Sequence, residues 1–210
     1  TSLSLPSTSH MSIVDSFGNV VSMTTTIENG FGSLQMVRGF LLNNQLTDFS
    51  FAPTDAAGKP IANAVAPGKR PRSSMSPTIV LNAANEVEAI IGSPGGSNII
   101  QYVVKSLVGV VDWDLNIQQA INLPNFGAQT SATTSLERLT TITGLETELK
   151  ARGHTVSIAD INSGLHGIVF NGRRANGLCG RMEPWRWRAK GRLPARIRRP
   201  ARSGKCRRAA

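Results

Sequence analysis

The run from Val20 to Ile27 alternates along the chain. Val21, Met23 and Thr25 fall on one side, and Ser22, Thr24 and Thr26 on the other. A period of two, with β-branched residues, is the pattern of a strand. Met11-Ser12-Ile13-Val14-Asp15 is a second short strand pattern, and Ser16-Phe17-Gly18-Asn19 between them is a turn cluster. Residues 8–28 therefore predict a β-hairpin, and the rest of the fold has to be built around it.

The pattern then changes several times. Gly30, Gly32 and Gly39 punctuate the chain before a strand at Phe40-Leu41-Leu42, which ends at Asn43-Asn44. Residues 50–72, rich in Ala, Gly and Pro, predict a long surface loop, which at such a length is often functional. Pro77 to Leu81 and Glu88 to Ile91 predict a pair of strands. Ser97 is the expected N-cap of a helix over Ile99 to Val111, whose apolar spacing is helical. Ile117 to Leu123 predicts a shorter helix stopped by Pro124. A third is expected over Leu145 to Arg152, closed by Gly153 at C′. His154 to Ile158 and Leu165 to Phe170 predict strands, and Asn171-Gly172 predicts a hairpin turn leading to a partner strand. Strands, then helices, then strands suggest an α+β fold in layers.

Charge divides the chain. Of 210 residues, 1–174 hold 11 Lys and Arg against 12 Asp and Glu, a net of −1, whereas 175–210 hold 12 against Glu183 alone, a net of +11. The overall charge of +10 thus belongs to a tail. A neutral body offers no broad electrostatic footprint for DNA or RNA, so no nucleic-acid partner is expected. No apolar run approaches the ~18 residues of a membrane span. The opening residues have no basic region and no long apolar stretch, so no signal peptide is legible there. A chain opening on Thr1 is expected to be a processed or excised piece of a longer one. Cys179 and Cys206 build no disulfide scaffold. His10, His154 and His166 lack zinc spacing, and neither a P-loop nor a dinucleotide fingerprint occurs. No metal and no cofactor are expected.

Several short blocks carry more information. They are Thr8-Ser9-His10-Met11-Ser12-Ile13-Val14-Asp15, Thr24-Thr25-Thr26-Ile27, Phe40-Leu41-Leu42-Asn43-Asn44-Gln45 and Asp48-Phe49. They continue with Lys69-Arg70-Pro71, Ser73-Ser74-Met75-Ser76-Pro77-Thr78 and Gly92-Ser93-Pro94-Gly95-Gly96-Ser97. In this order, over residues 8–180, they resemble the small subunit of the gamma-glutamyltranspeptidase family, including its cephalosporin acylase members. The resemblance implies an N-terminal-nucleophile hydrolase with an αββα sandwich, completed by a separate large subunit of the same precursor. The precursor cuts itself, and the newly exposed Thr becomes the nucleophile.

The resemblance places that residue at Thr8. A Thr hydroxyl is a weak nucleophile and needs a base, and a free α-amine with a pKa of about 7.7–8.0 can serve near neutral pH. Residues 1–7 precede Thr8. Either they are the end of the large subunit or a propeptide and are removed, or maturation exposes Thr1; the match favours Thr8. Thr26, on the return strand, is implied as the hydroxyl that orients the first. Gly95 and Gly96 match oxyanion-hole glycines, where backbone N–H groups before a helix meet developing negative charge. Ser73 and Ser74 match the hydroxyls that hold the donor's α-carboxylate. An Arg normally completes that charge balance, and the family draws it from the large subunit. Asp48 matches the acid that pairs the α-ammonium, with Gln45 beside it. Glu28 departs from the pattern, since many transpeptidases have Asn there. With Asp48 it makes a doubly acidic pocket, which predicts γ-glutamyl or aminoadipyl groups over plain glutaryl. His10 is read as packing or orienting the cut site.

The expected function is γ-glutamyl transfer or hydrolysis, with glutathione and related γ-glutamyl amides as donors. The alternative is cleavage of a cephalosporin side-chain amide by the same machinery. After Gly180 the chain departs from the resemblance. Residues 181–210 read either as a shifted reading frame or as a basic tail for an acidic surface. Compartment is not legible in the residues; that bacterial members are often periplasmic is an implication of the resemblance alone. The chain by itself is expected to be incomplete and poorly soluble.

Overall fold

The computed structural model describes residues 8–129, 132–161 and 163–170. Residues 1–7, Asn171-Gly172 with its expected partner strand, and the tail over 181–210 lie outside them. Strand β1 (Thr8–Val14) and strand β2 (Val20–Thr26) form the hairpin, in a register that pairs Thr8 with Thr26, His10 with Thr24 and Ser12 with Ser22. Asp15 closes the turn. Its carboxylate accepts from the backbone N–H groups of Phe17 and Asn19, at 2.8 Å each.

Short strands β3 (Met36–Val37) and β4 (Phe40–Leu41) pair next, and a 3-10 turn over Gln45–Asp48 follows. The long loop is exposed from 51 to 60. Strands β5 (Thr78–Leu81) and β6 (Val87–Gly92) then join the later strand β10 (His166–Val169) in an antiparallel sheet, with β6 in the middle. Helix α1 (Ile99–Val111) and helix α2 (Ile117–Asn122) cover one face of that sheet. The core lies between them and comprises Ala89, Ile91, Tyr102, Ile161 and Leu165. Ser97 is not the cap of α1. It sits inside a 3-10 turn over Gly96–Asn98, and Asn98 takes the cap position without a side-chain bond. The turn after two glycines already carries the chain into the helix. Helix α2 has the full device: Asn116 Oδ1 accepts from Gln119 N at 2.9 Å, and Gln119 Oε1 accepts from Asn116 N at 3.0 Å.

Strands β7 (Phe126–Ala128), β8 (Thr133–Glu137) and β9 (Thr155–Ala159) make a further sheet. The first two have no counterpart among the expected elements. Helix α3 (Glu146–Ala151) crosses between β8 and β9, which are parallel, as parallel neighbours require. Thr133-Thr134-Ser135-Leu136-Glu137 holds a single large apolar side chain, so no alternation marks it. Its threonines were the available signal.

The hairpin lies over the other face of the central sheet, against β6 and β10. The face it turns inward is the polar one. Ser12 N donates to His166 Nδ1 at 3.2 Å and Ser22 Oγ to the Ile91 carbonyl at 3.3 Å. The apolar face points outward: Ile13 is 49% exposed, Val21 45% and Met23 42%. Three layers result: hairpin, central sheet, helices. The hairpin's outer side has no layer over it among the described residues.

Candidate active site

The register of the hairpin sets two hydroxyls side by side at its open end. Thr8 Oγ1 donates to Thr26 Oγ1 at 3.1 Å, and Thr26 Oγ1 also accepts from Glu28 N at 2.9 Å. Thr26 is thereby held by the backbone beyond it and in turn holds Thr8. Both line a cleft of about 730 Å³, together with Glu28, Asp48, Arg72, Ser73, Ser74 and Gly96. The start of α1 (Ile99, Ile100, Gln101), the last residue of β7 (Ala128) and Gln129 also line it.

Behind Thr8, His10 fills the space between the two sheets. Its Nδ1 lies 2.8 Å from Thr24 Oγ1 and its Nε2 3.1 Å from Ser12 Oγ. The His166 ring meets it edge-on at 6.2 Å. Burial, helped by the charge of His166, pulls the pKa of His10 down to about 4, so the ring is neutral at pH 7. Burial alone lowers that of His166. Gly92 makes room for His10; a Cβ there would lie 2.1 Å from Cε1 of the ring. The packing role expected of His10 matches this placement.

The acidic side of the cleft is built on loops. Glu28 adopts a left-handed backbone conformation, φ 72°, which Asn tolerates better than Glu. Its Oε2 accepts from Asn44 Nδ2, and Asn44 Oδ1 accepts from Asn29 N at 3.1 Å. Asn44 therefore binds the turn after β2 to the 3-10 turn that carries Asp48. Burial raises the pKa of Asp48; the carboxylate of Glu28 raises it further, and Arg72 offsets part of this. Gln45 does not line the cleft. Its Nε2 is buried without a hydrogen-bond partner among the described residues.

Asn63, in the long loop, joins the segment of Asp48 to that of Arg72. Its Nδ2 donates to the Asp48 carbonyl at 2.7 Å, and its Oδ1 accepts from Arg72 N at 3.1 Å. Ser73 and Ser74 follow directly. Neither Asn63 nor Arg72 was among the residues expected from sequence. For Arg72 a signal was present: the carboxylate site that the resemblance implies would need a cation, and an Arg stands immediately before its two serines.

Gly96, φ 58°, borders the cleft, whereas Gly95, φ 141°, is packed behind it. A Cβ on Gly95 would lie 2.5 Å from Cε2 of Tyr102. Only glycine fits there on both counts. Tyr102 is buried in α1, so the glycine turn rests on the core. Among the described residues no cluster of His, Cys, Asp and Glu suits a metal ion, and no helix is long and apolar enough to cross a membrane.

Comparison with known proteins agrees with this geometry. The gamma-glutamyltranspeptidase family model matches residues 2–191. The glutathione hydrolase proenzyme of Escherichia coli is 44% identical over 132 residues, which are 58% of this chain and 22% of the relative's length. That of a Pseudomonas species is 41% identical over the same shares. The chain thus spans about a fifth of the length of these relatives. Among solved structures, a point mutant of Helicobacter pylori gamma-glutamyltranspeptidase superposes with a TM-score of 0.71 at 34% identity, covering 83% of this chain and 98% of that one. The Bacillus anthracis transpeptidase CapD gives 0.59 at 29% identity, covering 82% and 92%. A family match over nearly the whole chain, and a shared fold at such identity, lead to one conclusion: this chain belongs to the gamma-glutamyltranspeptidase family.

Proposed function

We propose that this chain is the small, nucleophile-bearing subunit of an autoprocessed enzyme that transfers or hydrolyses γ-glutamyl groups, from glutathione and related γ-glutamyl amides. The observation that carries the reading is the Thr8–Thr26 hydroxyl pair, 3.1 Å apart, opening into a cleft that Glu28 and Asp48 also line.

Once cleavage frees the α-amine of Thr8, that amine takes the proton from Oγ1, and Oγ1 attacks the γ-amide carbon. The carbonyl oxygen becomes an oxyanion beside Gly95-Gly96, where backbone N–H groups and the first turn of α1 offer positive potential. The intermediate collapses, the C–N bond breaks, and the leaving amine carries the proton away. A glutamyl ester on Thr8 remains. Water or an acceptor amine then attacks it, giving a proton to the Thr8 amine; the ester C–O bond breaks, glutamate or the new γ-glutamyl amide leaves, and the amine returns the proton to Oγ1. Thr26 keeps Oγ1 aimed throughout. Asp48 and Glu28 take the donor's α-ammonium, and Ser73 and Ser74 its α-carboxylate.

The partner in this reading is the large subunit of the same precursor. The outward apolar face of the hairpin supports it. Ile13, Val21 and Met23 are about half exposed, so covering them is worth on the order of 1 kcal/mol each, and one helical layer there turns the three observed layers into an αββα sandwich. Similarity to glutathione hydrolases and transpeptidases favours γ-glutamyl chemistry over cleavage of a cephalosporin side chain.

N-terminal sequencing of the small chain in active two-subunit enzyme tests the assignment. A start at Thr8 is expected. A start at Thr1 in fully active enzyme would remove Thr8 as an amine-bearing nucleophile. Donor choice is tested separately with anilides: γ-glutamyl anilide should be cleaved faster than glutaryl anilide, and the reverse order would rule out the acidic pair as an ammonium site.

A further inference from the structure

Arg72 stands immediately before Ser73 and Ser74, the hydroxyls assigned above to a donor's carboxylate. It lines the same cleft as Thr8, Glu28, Asp48 and Ser73. Its backbone is fixed, since Arg72 N donates to Asn63 Oδ1 at 3.1 Å while Asn63 Nδ2 holds the Asp48 carbonyl at 2.7 Å. The segment bearing the cation and the segment bearing the acid are thus bolted to one amide. Among the described residues, ion pairs join Arg138 to Asp160, Lys150 to Glu146 and Arg152 to Glu148. Arg72 is in none of them, so its guanidinium fork is not committed to a carboxylate among the described residues. Its charge nevertheless reaches Asp48, where it offsets part of the upward shift. The cleft therefore carries opposite charges on neighbouring loops, two carboxylates against one guanidinium. An α-amino acid head group has the same polarity, an ammonium and a carboxylate on one carbon.

We propose that Arg72 is a specificity-determining residue: it is this chain's own cation for the carboxylate of an amino-acid-headed acyl donor. The inference rests on the γ-glutamyl reading above and adds to it a contact that does not depend on the large subunit. A planar fork accepts a carboxylate through two parallel N–H···O bonds, and Lys cannot reproduce this. Donors that keep a carboxylate at this position are favoured, and donors without one gain nothing from Arg72.

The test uses the assembled two-subunit enzyme and three anilides. γ-Glutamyl anilide has both the ammonium and the carboxylate, glutaryl anilide only the carboxylate, and 4-aminobutyryl anilide only the ammonium. Arg72→Gln should raise KM about tenfold for the first two and less than twofold for the third, with kcat little changed. Arg72→Lys should restore part of the loss. An unchanged KM for γ-glutamyl anilide, or an equal rise for all three, overturns the proposal. Thermal stabilisation by L-glutamate gives a readout independent of turnover. It should shrink in Arg72→Gln, whereas any stabilisation by 4-aminobutyrate should not. If Arg72-dependent glutamate binding is found in wild-type enzyme that cleaves no γ-glutamyl anilide, the functional reading fails and the Arg72 assignment stands. If glutamate stabilises both proteins equally, the Arg72 assignment fails by itself.

Discussion

The two sides of the cleft are held in place by different means. Thr8 and Thr26 sit on paired strands, where seven residue pairs from Thr8–Thr26 to Val14–Val20 share one register. Moving one hydroxyl relative to the other means slipping the whole hairpin, which would also turn every side chain to the wrong face. Glu28, Asp48 and Arg72 to Ser74 sit on loops far apart in sequence. Two asparagine side chains do most of the visible joining: Asn44 between the turn after β2 and the 3-10 turn, and Asn63 between Asp48 and Arg72. Each such bond is worth only about 0.5–1.5 kcal/mol. In the proposed reading, the side that would carry the reaction is held by cooperative pairing, and the side that would take the donor is held one hydrogen bond at a time.

The sharpest way to break this division is Thr8→Ala. It should reduce cleavage of γ-glutamyl anilide by at least about a thousandfold and leave the precursor uncut on a gel. Activity within tenfold of wild type would mean that the hairpin does not carry the chemistry. Gly92→Ala attacks the support of the same side. The new methyl group collides with the His10 ring, and overpacking of this kind costs about 1–3 kcal/mol. Thermal unfolding should record a lower Tm; an unchanged Tm would show that His10 can leave its place freely.

A paired experiment compares the sides directly. Thr26→Ala should lower kcat about tenfold or more with KM nearly constant, because it loosens the nucleophile and not the donor. Asn63→Ala should do the opposite, raising KM for γ-glutamyl anilide severalfold with kcat within about twofold. Equal effects of both substitutions on kcat would erase the distinction.

The smallest effect expected is a shift in pH dependence. Asp48 has to be ionised to pair an ammonium, and its pKa is raised by burial and then by Glu28. KM for γ-glutamyl anilide should therefore rise on the acid side, starting above the ordinary carboxylate range. Glu28→Gln removes one negative neighbour, makes Asp48 easier to ionise and should move that rise to lower pH. A KM profile that stays where it was would place Glu28 outside the electrostatics of the site.

Legibility followed the same division. The hairpin, the strand pair β5 and β6, and helices α1 to α3 each carry a periodic or punctuated pattern, and all were expected close to their observed bounds. Strands β7 and β8 were not, because short Thr- and Ser-rich strands acquire their identity only from neighbours. Thr8, Thr26, Glu28, Asp48, Ser73, Ser74 and Gly96 were singled out through the resemblance and do meet in one cleft. Gln45 lies behind it and Gly95 is packed on Tyr102. Asn63 escaped notice because its role is to join backbone groups of two distant loops, and such a role leaves no local pattern.

What the residues determined alone was the set of elements and the chemistry available to them: an alternating hairpin opening on a threonine, a glycine pair before a helix, and a charge confined to the tail. Period, turn chemistry and composition are local, so a linear chain displays them. The tertiary structure alone decided which face of the hairpin turns inward. Alternation marks two faces without ranking them, and here the polar face is buried because Ser12 and Ser22 find partners on His166 and Ile91. It also decided that Arg72 shares a cleft with Asp48, since proximity across loops depends on long-range bonds that no spacing in the sequence encodes.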